Sequence, residues 1–273
     1  MREGVVLDKR QRTMKQAITK MGKEHFLSVM FLLGAFSCSW SQTQGFKMGL
    51  ALEPNMAWMN SRDYEHTTDG VRGHFGYQFM ADIMFSETYA IGTGLHVFRT
   101  GSQVEYWEQT NQDSLSKVSR DFNNQYVELP LTFKMRTKEI GYSTYFGRFG
   151  AGLGLNTRRE VDESRYVGYQ RTDGWQPVDN PSIPAPDLEA GDHTKLFRAS
   201  MIVGLGVERR IAGNSSLVVG VTYNSALFNT HKNVEVVKVD AAGVPRGLAE
   251  DNVLVTEMKG QDSILALSVG VVF

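Results

Sequence analysis

Residues 126–136, "YVELPLTFKMR", narrow the fold more than any other stretch of the chain. Successive side chains of a strand point to opposite faces. Here Val127, Leu129, Leu131, Phe133 and Met135 share one face, and Glu128, Thr132, Lys134 and Arg136 share the other. The same division recurs elsewhere. Phe197, Met201, Val203, Leu205 and Val207 oppose Arg198, Ser200, Gly204, Gly206 and Glu208, and Phe75, Tyr77, Phe79, Ile83 and Phe85 oppose His74, Gln78 and Asp82. In water, a sandwich or barrel hides its apolar face and shows its charged one. Here the apolar face is continuous, while the charged face also carries glycines 150, 152, 154, 204 and 206, which make room for bulky neighbours in a narrow interior. The charged side therefore faces in, and the apolar side meets lipid.

From Gly45 onward the chain divides into eight extended segments: residues 45–59, 73–86, 89–106, 125–136, 142–157, 195–210, 216–229 and 263–273. No long stretch shows helical periodicity. The connections alternate long and short, so one end collects all the large loops, whereas Glu87 and Thr88 alone join the second segment to the third. This predicts an all-β fold, an eight-stranded antiparallel up-and-down transmembrane β-barrel. A mean hydropathy of −0.28 does not oppose that reading, because alternation hides the membrane signal in the average. Basic and acidic residues, 29 and 30, nearly cancel, which gives no pull towards nucleic acid. Pro130 removes a ladder hydrogen bond mid-strand, so a bulge or bend is expected there.

Before the first segment, residues 26–36 form an apolar run too short to span a bilayer. Lys23 precedes it, and Ser39 and Ser41 stand three and one residues before a cleavage point at Gln42. This is the pattern of a secretory signal peptide. Residues 1–41 are thus expected to be an N-terminal extension and signal, with translation starting at Met14 or Met21, and residues 42–273 the barrel. Cys38 raises the alternative of a lipoprotein signal, but Ala35 and Phe36 fit that poorly. Cleavage before Gln42 leaves a mature chain without cysteine, which excludes thiol chemistry.

The stretch "YVELPLTFKMR" and the ending "LALSVGVVF" together resemble the PorT-like family of outer-membrane β-barrels, within the OmpA-like eight-stranded superfamily. The resemblance covers residues 45–273. It implies a small monomeric barrel in the outer membrane of a Gram-negative cell, with outer-membrane lipid around it. Some relatives serve in protein secretion and gliding. In the ending, Leu265, Leu267, Val269, Val271 and Phe273 share one face, and the terminal aromatic resembles the signal that the barrel assembly machinery recognises during insertion.

The inward charges are the first candidates for chemistry: Lys47, Glu53, Asp82, Glu128, Lys134, Arg148, Arg198 and Glu208. Glu53, Glu128 and Arg148 fall at similar mid-barrel depth. Unpaired charges in a narrow lumen are costly, so these groups must pair. Two readings follow: a gate or ion path, or a permanently paired plug. Eight strands leave no open channel, which favours the plug. A barrel enzyme acting on lipid needs a histidine beside an outward serine near the loop end. His74 and His96 point inward by parity, and His66, His193 and His231 lie in or beside loops, without a serine–carboxylate set that stands out. No catalytic residue, metal or cofactor is expected.

The third long connection, residues 158–194, is acidic. It carries Glu160, Asp162, Glu163, Asp173, Asp179, Asp187, Glu189 and Asp192 against Arg165 and Arg171, and "DLEAGDH" at 187–193 lacks the spacing of a calcium loop. Tyr166, Tyr169 and Trp175 are aromatics of the kind that anchor partners or pack a loop on itself. In the fourth connection, "VEVVKVD" and "NVLVTEM" flank "AAGVPRG" and predict a hairpin that extends the seventh and eighth segments above the membrane. The expected function is non-enzymatic, structural or partner-binding through long extracellular loops. The alternatives are an accessory of a secretion or gliding machine and a lipid-modifying barrel enzyme.

Overall fold

A computed structural model describes residues 45–61, 65–111, 114–171, 174–184, 194–239, 253–257 and 259–273. The signal segment with its cleavage point, Cys38, Asp173, the acidic stretch 187–193 and the loop 241–247 lie outside the described residues. Twelve strands are present among them: β1 (Phe46–Ser61), β2 (Thr67–Asp69), β3 (Arg72–Met84), β4 (Tyr89–Asn111), β5 (Ser114–Arg136), β6 (Ser143–Arg171), β7 (Gly174–Pro184), β8 (Phe197–Ala212), β9 (Ser215–Ala226), β10 (Asn233–Val237), β11 (Val253–Glu257) and β12 (Gly260–Val272). Eight of them close a ring in the order β1, β3, β4, β5, β6, β8, β9, β12. The seam is antiparallel and runs from Gly49 opposite Val272 to Ser61 opposite Gly260. Beyond it, the backbone N–H and C=O of Met48 and Phe273 bond to each other. A closed ring leaves no open edge, as a lipid-embedded sheet requires.

The outside of the ring is apolar. Leu50, Leu131 and Leu205 are each more than 60 % exposed, while their inward neighbours are buried. The lower margin, at the short turns, carries Phe85, Tyr89, Phe133, Tyr145 and Phe149, several of them stacked with ring centroids about 6 Å apart. Phe75, Tyr77, Trp58, Phe197 and Phe228 lie at the upper margin. The outward run from Met135 to Val127 covers about 26 Å along the strand at about 3.3 Å per residue. That matches an apolar band of about 25 Å between aromatic girdles once strand tilt is allowed for.

Three strands outrun the sequence expectation. The polar segment after residue 106 is not a loop: β4 and β5 stay paired up to Asn111 and Ser114, and β6 continues to Arg171 with β7 on its far side. Above the band, solvent replaces lipid and the polarity of the two faces reverses. Val104, Tyr106, Val118 and Phe122 turn inward and are buried, while Gln103, Glu105, Lys117 and Ser119 face water. With both faces partly polar, period 2 fades from the sequence although the strand goes on. The fourth-connection hairpin is present as β10 and β11, but as a separate two-stranded sheet rather than a continuation of ring strands. Val236 of β10 packs on Tyr106 and Val118 and covers the mouth.

Pro130 does not produce a bulge. It sits opposite Gly152 in unbroken register with β6, and the β4–β5 ladder merely lapses between Gly92/Thr132 and His96/Glu128 without a shift. The bulge lies higher, where Gln125 pairs with Arg158 and Tyr126 with Asn156, leaving Thr157 as the extra residue of β6. In the lapsed stretch Gly94 adopts φ +148°, and a Cβ there would stand 2.0 Å from the Phe79 carbonyl oxygen. Only glycine fits that combination. Gly94→Ala is expected to destabilise the barrel by about 1–3 kcal/mol. The measurement is urea unfolding in detergent micelles, followed by the mobility shift between unboiled and boiled protein; an unchanged midpoint would contradict the assignment.

Candidate functional site in the barrel lumen

The eight interior charges read from the sequence all lie on the inner wall, and the structure gathers them into two groups. The lower group stands just inside the short-turn end. Lys134 Nζ donates to Asp82 Oδ2 at 2.5 Å and to Glu208 Oε1 at 2.7 Å, Arg136 donates to Glu208 Oε2 at 2.5 Å, and Lys47 Nζ lies 3.6 Å from the same oxygen. Lys134 also sits 4.4 Å over the Phe146 ring. Five strands contribute, so the pairs tie together residues far apart in sequence.

The middle group is organised by Glu128, whose side chain is fully buried. Its Oε2 accepts from Arg198 Nη1 at 2.9 Å and Ser200 Oγ at 2.7 Å, and its Oε1 accepts from Asn224 Nδ2 at 2.6 Å. His96 lies between two carboxylates, with Nε2 2.6 Å from Glu53 and Nδ1 3.9 Å from Glu128. Glu53 in turn accepts from Ser268 Oγ at 2.5 Å, which links β1 to β12 across the seam. Arg148 donates to Thr222 Oγ1 at 2.6 Å and stands 3.9 Å from Glu53. Gly152 makes this arrangement possible: a Cβ there would be 2.4 Å from the Glu128 carboxyl carbon.

Sequence reading missed His96, Arg136 and the neutral partners Ser200, Asn224, Thr222 and Ser268 as members of the network. Parity places all of them inside. Which of them share a level depends on the pairing register, which a single sequence does not show.

Above Glu128 the lumen is of mixed polarity, with buried Asp262 accepting from Thr100 Oγ1 at 3.3 Å and Asn156 donating to Asn124 at 3.3 Å beside apolar side chains. Ala57, Phe98, Tyr126 and Ile264 form one buried layer, and Met59, Val104 and Phe122 form the next. The Arg198 guanidinium caps the lower layer, 5.2 Å from the Phe98 ring and 5.5 Å from Tyr126. The cavity among the charges measures about 20 Å³, room for a water or two. Paired ions below and packed layers of apolar and hydrogen-bonded polar side chains above fill the lumen.

A further ion cluster lies above the membrane band, inside the wall formed by β4, β5 and β6. The Thr157 bulge inverts the parity of β6, so Val161, Glu163 and Arg165 face inward and Glu160 and Asp162 face out. Glu163 accepts from Arg120 and from Arg165, both at 2.5 Å, and Arg165 also lies 3.2 Å from Glu108. Burial pushes the Glu163 carboxyl up, but hydrogen bonding from Arg165 and the Arg120 charge outweigh it, so its pKa lies below the ordinary value.

Three of the four described histidines belong to the interior. His66 packs against Tyr106, and His231 against Phe122. His96 is in the charge network. His74, expected inside by parity, instead lies against the outer face of β4: its Nε2 stands 3.0 Å from where a Cβ of Gly101 would be, with the charges of Arg99, Arg72 and Asp121 around it. The β3–β4 register begins only at Tyr77, so parity counted from below does not carry up to residue 74. The outward serines near the loop end, Ser225 and Ser263, bond to each other at 3.0 Å beneath the stacked Trp58 and Tyr223 rings. Leu265, Leu267, Val269, Val271 and Phe273 form an exposed row on the outside of the seam.

Removing one partner of a buried pair strands the other. Arg198→Met is therefore expected to cost about 3–5 kcal/mol, whereas the double change with Glu128→Gln costs clearly less than the sum of the singles. Urea titration of the assembled barrel measures both. A second expectation concerns pH. Because the folded-state pKa of Glu163 is lowered, its contribution is complete above the unfolded value, near 4.5, and is lost as pH falls through the lower folded value. Amide exchange in the β5–β6 wall should accelerate below that point, and Glu163→Gln should flatten the dependence.

Among solved structures, the chain is similar to the attachment invasion locus protein Ail of Yersinia pestis, at 10 % identity, TM-score 0.34, covering 85 % of this chain and 100 % of that one. It is similar to the outer membrane protein OprG of Pseudomonas aeruginosa, at 10 % identity, TM-score 0.40, covering 84 % and 94 %. Neisserial surface protein A shows 14 % identity, TM-score 0.35, and coverage of 84 % and 96 %. No curated protein matches the chain. The family model described as outer membrane protein beta-barrel domain matches residues 40–232, well over half of the chain. This chain, an eight-stranded barrel of the outer membrane, belongs to that family.

Proposed function

We propose that the protein is a non-enzymatic outer-membrane barrel that holds a folded β-wall outside the cell for a protein partner. The observation that carries this reading is the wall itself. Strands β4, β5 and β6 continue well past the apolar band and bury a core there with Met59 of β1 and Val236 of β10, so the surface above the membrane includes a paired and packed wall. The plugged lumen supports it too, since a filled eight-stranded barrel has little to transport. The inward placement of His66, His96 and His231 speaks against a lipid-modifying site built on them. On the same reading, the outer row from Leu265 to Phe273 is what the barrel assembly machinery engages at insertion.

The sequence of β5 around Glu128 and Pro130 supports a place among PorT-like barrels, with a role as an accessory of a secretion or gliding machine as the second reading. Photo-crosslinkers placed at the water-facing positions Gln103, Ser119 and Ser164 should give one discrete adduct in whole cells, and the same probe at lipid-facing Leu131 should not. No adduct at any wall position would overturn the partner-binding reading. Unimpaired secretion in a deletion strain would remove the accessory role alone.

A further inference from the structure

We propose that Arg99, Gln125 and Arg158 form a site on the outer surface for the phosphate headgroup of a lipid in the leaflet on the wall side. The three residues are direct cross-strand neighbours: Arg99 pairs with Gln125 across β4 and β5, and Gln125 pairs with Arg158 across β5 and β6. All three point outward. Arg158 does so only because the Thr157 bulge inverts the parity of β6 there; without it the guanidinium would enter the lumen. Bulges commonly re-aim a side chain in this way.

The depth of the row defines the ligand. Directly below it the exterior is apolar, with Val97, Val127 and Leu155 in the next outward row and Leu95, Leu129 and Leu153 beneath them. Directly above it the exterior is polar. The two arginines thus stand at the border between acyl chains and headgroups. Two strand spacings separate them, about 10 Å.

Their charge is incompletely compensated. Arg99 has Gln125 as its hydrogen-bond partner, its Nε donating to Oε1 at 3.3 Å, and no ion pair among the described residues. Arg158 pairs with Glu160 at 2.5 Å, but its side chain remains 58 % exposed and leaves other donors free to turn down. Asn123 donates to the same Glu160 carboxylate, which further satisfies it. Nearby Arg72 is taken up by Asp121. A guanidinium fork suits phosphate oxygens, and near a membrane surface each such cation contributes about 1 kcal/mol towards an anionic lipid. A phosphate at the row with its acyl chains on the leucines below satisfies both halves of the surface at once.

The test uses the assembled full chain in neutral detergent, with native mass spectrometry reading lipid retention. The probes are lipid A, its dephosphorylated form and inorganic phosphate as competitor. Lipid A should be retained in preference to the dephosphorylated lipid. Each of Arg99→Gln and Arg158→Gln should weaken retention about fivefold, as about 1 kcal/mol implies. The heat-dependent mobility shift of the variants serves as the folding control, and the wild-type comparison of the two lipids stands without any variant. Equal retention of both lipids, or variants that fold and retain lipid A fully, would overturn the site. Displacement by inorganic phosphate at matched concentration would also overturn it, by showing a phosphate site that does not need the lipid.

Discussion

An ionised carboxylate at the centre of an eight-stranded barrel has almost no water to lean on, and Glu128 meets that condition by accepting from three neighbours on two other strands. Everything around it is arranged to permit this. Gly152 gives up its side chain so that the carboxyl fits, Arg198 brings the compensating charge, and Ser200 and Asn224 fill the remaining lone pairs. Through His96 the same cluster reaches Glu53, and through Glu53 the closing strand. A slip of one residue in any of these pairings would turn a charge towards lipid and leave its partners bare. The network therefore specifies register as much as it fills space.

The ring is one sheet serving two solvents. Within the apolar band it is inside out, and above it the ordinary rule returns, with Val104, Phe122 and Val118 buried and charges facing water. The change happens within single strands, over two or three residues. The layers just above the charges are transitional, with Phe98, Tyr126 and Phe122 packed beside the hydrogen-bonded polar groups of Asn124, Asn156 and Asp262. They leave a cavity of only about 20 Å³ among the charges.

Where one solvent acts on one face, the sequence was readable: eight ring strands, their inward charges and their short turns all followed from period 2. Reading failed where the contrast between faces weakened. The upper half of β4 and β5 has polar residues on the outside and a mixed interior, so it looked like a loop. Pro130 drew attention to the wrong place, since a missing N–H interrupts a ladder without adding a residue, whereas the true insertion, Thr157, carries no compositional mark. The partners of Glu128 were visible as inward residues but not as partners, because their common level is a property of register. Glu163 was counted among the acidic residues of a loop, and it lies inside only by virtue of the bulge.

That bulge also divides the chain into two frames of evolution. Below Thr157, adding or deleting a single residue in β6 would exchange lipid-facing and lumen-facing side chains down to the turn, so length there is effectively frozen. Above it, the wall has its own phase, set afresh by the extra residue. Matched pairs of residues can enter or leave β5 and β6 there without disturbing the half embedded in lipid. The barrel can thus keep one membrane anchor while the height of the wall above it changes from one descendant to the next.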